Sequence, residues 1–97
     1  MGLERDFQPK VIAAIKNLFP GCIVIKNDPA YIQGLPDLLI LFKKHWAMLE
    51  VKQSLNSPHR PNQDYYIKKL NEMSFASFVY PENLKEVLNG LQQAFES

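Results

Sequence analysis

The chain reads as an α/β domain, a mixed β-sheet flanked by helices in the order α-β-β-β-α-β-α. Three observations predict it. Apolar residues recur at helical spacing at both ends of the chain and once near its middle. Between them lie short runs rich in β-branched and aromatic residues, at Cys22 to Lys26, Leu38 to Phe42, Trp46 to Val51 and Ser74 to Tyr80. The runs are apolar at successive positions, so helices are expected on both faces of the sheet.

Leu3, Phe7, Val11, Ile15 and Leu18 form the stripe of the first helix. Pro9 falls in its first turns, where a missing N–H costs little. Pro20-Gly21 ends it. Cys22 to Lys26 is the first strand, and Asn27 to Gln33 is a loop with Asp28-Pro29 as its turn chemistry. Lys43-Lys44-His45 is the polar break between the next two runs, which predicts an antiparallel hairpin. Gln53 to Pro61, with serine, asparagine and two prolines, reads as an exposed loop. A second helix starts near Pro61 with Gln63, Ile67 and Leu70 on one face. Ser74 to Tyr80 is the fourth strand. Pro81 opens a last helix carrying Leu84, Val87, Leu88, Leu91 and Phe95.

Ninety-seven residues predict one domain, spanning 1–97. Hydrophobic content of 46% with 22% charged residues is that of an ordinary soluble chain. No apolar run approaches the ~20 residues of a membrane span, and Met1 to Lys10 lacks a signal-peptide pattern. Cys22 has no internal partner and shares no zinc-ligand spacing with His45 and His59. It reads as a small core residue in a protein of the reducing cytoplasm. The net charge of +1 argues neither for nor against nucleic acid, because acidic ligands would cancel part of a basic surface.

The chemistry lies in Gly34-Leu35-Pro36-Asp37 and Glu50-Val51-Lys52. Two carboxylates and an ammonium sit in or beside runs that otherwise read as buried strand, where ionised groups need a partner or a task. Pro-Asp followed by Glu-x-Lys at this separation arises by chance in roughly one chain of this length in fifty. Glu50 and Lys52 are two apart and so share a sheet face. With Lys43 and Lys44 as a two-residue turn, Phe42 pairs with His45 and Asp37 lies opposite Glu50. A four-residue turn, Lys43 to Trp46, instead sets Asp37 opposite Lys52. Either register brings all three to one face. Two carboxylates about 5 Å apart repel by roughly 3 kcal/mol at an effective dielectric near 20. Lys52 offsets part of this, and a divalent cation would offset all of it. Oxygen ligands on a rigid sheet suit magnesium or manganese. The competing reading is a structural ion pair at a sheet end.

Other residues have weaker signals. Glu4 is an ordinary first-turn acid unless it joins the trio. Gln63 points inward and needs partners, which backbone near the Glu50 strand or a ligand phosphate would supply. Arg60 and His59, just after the Glu-x-Lys strand, are placed for phosphate. Lys43, Lys44 and Lys68, with Lys69, are either solvated surface or phosphate contacts. Tyr31 is a candidate for base stacking, and Tyr65-Tyr66 for helix packing.

These motifs resemble the PD-(D/E)xK nuclease superfamily, with Pro-Asp on one strand and Glu-x-Lys on the next. They are most similar to its small VRR-NUC and Holliday-junction-resolvase-like branch, often found in bacteriophages. Glu4 in the first helix, Gly34 to Asp37, Glu50 to Lys52 and Gln63 after a Ser/Pro-containing loop match that branch in order, over residues 3 to about 90. The chain departs from it at Gln33, where a basic residue is common, and at Glu72-Met73-Ser74, which lacks the usual glycine. The resemblance implies a restriction-endonuclease-like sheet and metal-dependent hydrolysis of DNA phosphodiesters. Asp37, Glu50, Lys52, Glu4 and Gln63 would be the catalytic residues. Asp37, Glu50, the Val51 carbonyl and Glu4 would hold Mg2+ or Mn2+, and Lys52 would position or deprotonate a water. Arg60, His59, Lys43, Lys44 and Lys68 would contact DNA. The expected function is a structure-selective endonuclease acting on branched or junction DNA, in a bacterial or phage-infected cytoplasm. The alternative is a DNA-binding subunit of the same fold with little nuclease activity of its own. A third reading is a phage structural or interaction protein that keeps the trio as an ion pair. Junction cleavage needs two sites, so a homodimer is expected, with the last helix or Tyr65-Tyr66 in the contact.

Overall fold

The computed structural model of the chain describes residues 4–96, with side chains from Asp6 onward. Leu3 and the side chain of Glu4 lie outside the described residues. The elements are α1 (Glu4–Leu18), β1 (Ile23–Lys26), β2 (Leu38–Phe42), β3 (His45–Val51), α2 (Gln63–Met73), β4 (Phe75–Val79) and α3 (Leu84–Glu96). A short 3-10 turn, Pro81–Asn83, leads into α3. The sheet has the order β1-β2-β3-β4, antiparallel at its first two pairings and parallel between β3 and β4. The α2 crossover makes that parallel pairing possible, because a hairpin cannot join parallel neighbours.

One face of the sheet carries the core. Leu38, Ile40, Ala47, Leu49, Val51 and Val79 meet Phe7, Val11, Ile15 and Phe19 of the first helical segment and Val87, Leu91 and Phe95 of α3. The α1 stripe therefore continues at a spacing of four onto Phe19, whereas Leu18 is only half-buried. Phe19, Phe42 and Phe95 close one end of this core with ring centroids 5.0–5.9 Å apart. Leu84 and Leu88 pack against the same cluster. Val87, Leu91 and Phe95 of the α3 stripe are thus buried within the subunit, while Leu84 and Leu88 stay half-buried.

The opposite face carries Trp46, Met48, Glu50, Ala76 and Phe78, by strand alternation and register. Helix α2 packs here on β4 and β3 through Leu70 and Gln63. Toward β1 the face stays open: Leu39 and Leu41 are half-buried, and Ile23 and Ile25 are 58% and 41% exposed.

The hairpin turn is Lys43-Lys44, since Phe42 pairs with His45 and Leu38 with Leu49. Of the two expected registers, the two-residue turn is the one adopted. Lys43 sits in the left-handed region at φ 54°. At the helix-to-strand junction after α2, Ser74 replaces the expected glycine without positive φ. It adopts φ −152° and donates its hydroxyl to the Trp46 carbonyl.

Gly34 is required for two reasons. Its φ is +92°, and a Cβ there would lie 2.6 Å from Asn62 Cβ and 2.9 Å from the Pro61 carbonyl oxygen. Asn62, itself at φ 71°, precedes α2. The glycine lets the loop before Asp37 touch the loop before Gln63. The two stretches that supply the site are locked together at this point.

Candidate metal centre and active site

Asp37 is fixed from both sides before its carboxyl does anything. The Asn27 N–H donates to the Asp37 carbonyl at 2.7 Å, and Asn27 Nδ2 donates to the Pro36 carbonyl at 2.8 Å. These bonds extend the β1–β2 ladder by one step. The β2–β3 register, extended equally, sets Asp37 opposite Glu50. The Val51 N–H then donates to Asp37 Oδ2 at 3.0 Å. Sequence reasoning missed Asn27, whose only signal was an amide in a turn-rich loop.

Glu50 and Lys52 are each 3% exposed, and Gln63 is 7% exposed. Buried charges and amides demand partners, and these three supply one another. Gln63 Nε2 donates to Glu50 Oε2 at 3.0 Å, while Gln63 Oε1 accepts from Lys52 Nζ at 2.7 Å. The same Oε1 accepts the Arg60 N–H at 2.8 Å. Lys52 Nζ also donates to the Pro58 carbonyl at 3.0 Å and lies 4.0 Å from Glu50 Oε2. The partners of Gln63 are thus the side chains of Glu50 and Lys52 and the Arg60 N–H, in place of the strand backbone expected for it.

The Asp37 and Glu50 carboxyls face each other across the β2–β3 pairing. Burial pushes the Asp37 carboxyl above the usual carboxylate range. The Val51 N–H, a hydrogen bond with the Glu50 carboxyl and the Lys52 charge offset only part of that. Two carboxyls in hydrogen-bonding contact need a shared proton or a cation between them. Magnesium keeps several of its waters and often takes only one or two carboxylates, so this donor pair fits it. Among the described residues no group of three or more His, Cys, Asp or Glu side chains converges. A third carboxylate would have to be Glu4, on α1, whose side chain is outside the described residues.

Asp37, Glu50, Lys52 and Gln63 line one cavity of about 500 Å³, together with Pro29, Gln33, Gly34, Leu35, Arg60 and Pro61. Arg60 is exposed on its rim. Gln33 stands on the wall where a basic residue would have offered a phosphate contact. His59 does not line the cavity: its ring lies on Phe78 with centroids 4.0 Å apart, and Nδ1 is 2.7 Å from Asp64 Oδ1. Lys43 and Lys44 are at the other end of the hairpin, six residues or roughly 20 Å of strand from Asp37. Lys43 Nζ lies 5.2 Å from the Phe42 ring centroid. Lys68 is exposed on α2, off the Gln63–Leu70 face. Tyr31 is exposed in the loop before Asp37 and does not line the cavity.

The mixed sheet with this strand order and flanking helices is the restriction-endonuclease-like fold that the motifs implied. Among solved structures, a VRR_NUC domain protein matches it with a TM-score of 0.59 at 20% sequence identity. The match covers 91% of this chain and 87% of that chain. At that identity the likeness establishes a shared fold. No family model and no curated protein matches the sequence. No helix among the described residues is long and apolar enough to cross a membrane.

The raised Asp37 carboxyl gives a stability prediction with a definite sign. A carboxyl with its folded pKa above its unfolded value stabilises the fold while protonated, and loses that contribution as pH rises through the folded value. The ionised Asp37 therefore weighs against the metal-free fold at neutral pH. Asp37→Asn should raise the melting temperature in EDTA at pH 7, and the advantage should shrink as pH falls through the raised folded value and be gone near the ordinary value of 3.8. A variant that melts lower than the parent at both pH values would show that the carboxylate is structurally required.

Proposed function

We propose that this chain is a metal-dependent endonuclease that hydrolyses DNA phosphodiester bonds, preferring branched or junction DNA. One observation carries the reading. The Asp37 and Glu50 carboxyls line one cavity with the hydrogen-bonded Lys52–Gln63 pair. A structural ion pair would not need two acids for one base, nor a cavity in front of them.

The residues divide the work. Asp37 and Glu50 supply hard oxygen donors at fixed positions on adjacent strands, with the Val51 carbonyl and Glu4 as further ligands. Magnesium or manganese held there would lower the pKa of a bound water and neutralise charge on the scissile phosphate. Lys52, whose Nζ lies 4.0 Å from Glu50 Oε2, would orient or deprotonate that water and stabilise the pentavalent transition state. Gln63 does not touch substrate in this scheme. It fixes the Lys52 and Glu50 rotamers, so that neither collapses onto the other. Arg60 meets the DNA backbone at the rim. Lys68, Lys43 and Lys44 reach only DNA that extends well beyond the scissile bond.

Two copies are proposed to act together, because a junction presents two strands related by a two-fold axis. The open sheet face supports this: Ile23 and Ile25 continue the apolar row of Leu39, Leu41, Trp46 and Met48. Tyr65 adds an exposed ring on α2.

Supercoiled plasmid and a synthetic four-way junction, incubated with magnesium, manganese or EDTA, test the activity. The parent should cut with either metal and not in EDTA. Asp37→Asn, Glu50→Gln and Lys52→Ala should each lower cleavage by roughly 1,000-fold or more, the scale of losing a transition-state contact. DNA binding that survives in all variants, with no cleavage by the parent, would make the chain a binding subunit.

Sedimentation equilibrium at micromolar concentration tests assembly. Twice the 11.2 kDa chain mass is expected, and one chain mass with junction cleavage intact would remove the dimer.

A further inference from the structure

The loop between β3 and α2 touches the inner wall of the site twice, at positions 58 and 60. The Pro58 carbonyl accepts from Lys52 Nζ at 3.0 Å, and the Arg60 N–H donates to Gln63 Oε1 at 2.8 Å. His59 stands between these contacts, and its side chain does not line the cavity. Its ring stacks on Phe78 with centroids 4.0 Å apart and 19° between planes. Its Nδ1 is 2.7 Å from Asp64 Oδ1. A carboxylate only accepts, so Nδ1 carries the proton. Phe78 is the residue paired with Glu50 across the β3–β4 ladder. The ring therefore rests on the strand beside the catalytic acid, while Asp64 ties it to the first turn of α2.

From this geometry we infer that His59 is the positioning residue for Lys52, and not a DNA contact. The loop's internal hydrogen bonds join Ser54 to Ser57 and Arg60 to Gln63, and the His59 side chain adds the anchor of positions 58–60 to β4 and α2. Locking the His59 side chain on Phe78 and Asp64 leaves its two neighbouring peptides facing inward. The Pro58 carbonyl then stays on the ammonium, and the Arg60 N–H keeps Gln63 Oε1 turned toward it. Without the peg, the loop relaxes and Lys52 loses one of its two acceptors. The inference rests on the nuclease reading only for its effect on rate. The effect on Lys52 stands apart from it.

Two measurements on the full chain separate these. An ammonium that is buried and hydrogen-bonded exchanges slowly with water, so Lys52 should give a protected 15N-ammonium resonance in the metal-free parent, assigned by its loss in Lys52→Arg. His59→Ala should broaden that resonance beyond detection, Asp64→Ala should shift it, and His59→Phe, which keeps the stack, should retain it. In cleavage assays His59→Ala should lower kcat by roughly 10- to 100-fold, the range for partners that orient a metal-site residue. His59→Phe should recover most of the loss, and the affinity for junction DNA should stay within about twofold of the parent. A Lys52 resonance unchanged in both His59→Ala and Asp64→Ala overturns the inference, whether or not the parent cuts DNA. So does a weakened DNA affinity with kcat intact, which would return His59 to the phosphate backbone. If the parent does not cleave while the resonance responds as described, the positioning role holds and the endonuclease reading fails.

Discussion

Lys52 sits almost wholly out of water, and an ammonium there must find oxygen acceptors or leave the interior. Its acceptors come from two separate segments, the Pro58 carbonyl of the loop and Gln63 at the start of α2. Gln63 satisfies it and at the same time donates to Glu50. Because one amide serves both charges, the start of α2 has a single permitted position over the sheet. The loop before α2 follows, and Gly34 fits against Asn62 only when that loop is in place. The cavity is therefore a consequence of satisfying one buried charge.

The sheet separates stability from chemistry by strand alternation. Odd-numbered positions of β3 (Ala47, Leu49 and Val51) face the helices and are fully buried. Even-numbered positions lead from Trp46 and Met48 to Glu50 and then Lys52. Substitution at the charged positions thus leaves the main core untouched, so a loss of function there need not be a loss of fold. The same alternation explains the open apolar region beside β1, where α2 no longer covers the face.

Much of this was legible in the residues. The hairpin, the inward face of Gln63 and the gathering of Asp37, Glu50 and Lys52 follow from polar breaks and periodicity. Those signals are local and strong. The two possible turn lengths were not separable by pattern alone, because both keep the trio on one face. The choice depends on ladder bonds and on Lys43 accepting a left-handed conformation. The packing of His59 is not legible, because a histidine after a Glu-x-Lys strand carries no mark of its neighbours. Phe78 and Asp64 reach it from other elements, and only tertiary structure supplies them. The distance of Lys43 and Lys44 from the site follows from the same pairing: a hairpin that brings Asp37 to Glu50 sends its own turn to the far end. Asn27 was overlooked because it acts through backbone and amide contacts at a strand end.

The central claim is that the Asp37–Glu50 pair is a cation site and not an ion pair completed by Lys52. Substoichiometric manganese, added to 15N-labelled protein and followed through paramagnetic broadening of backbone amides, tests it most directly. A cation held by Asp37 and Glu50 should broaden Asp37, Val51 and Lys52 first and Lys43 and Lys44 at the far turn last, and Asp37→Asn should abolish the pattern. Broadening absent from the cavity, or centred on the exposed acids Asp28 and Glu72, would contradict it.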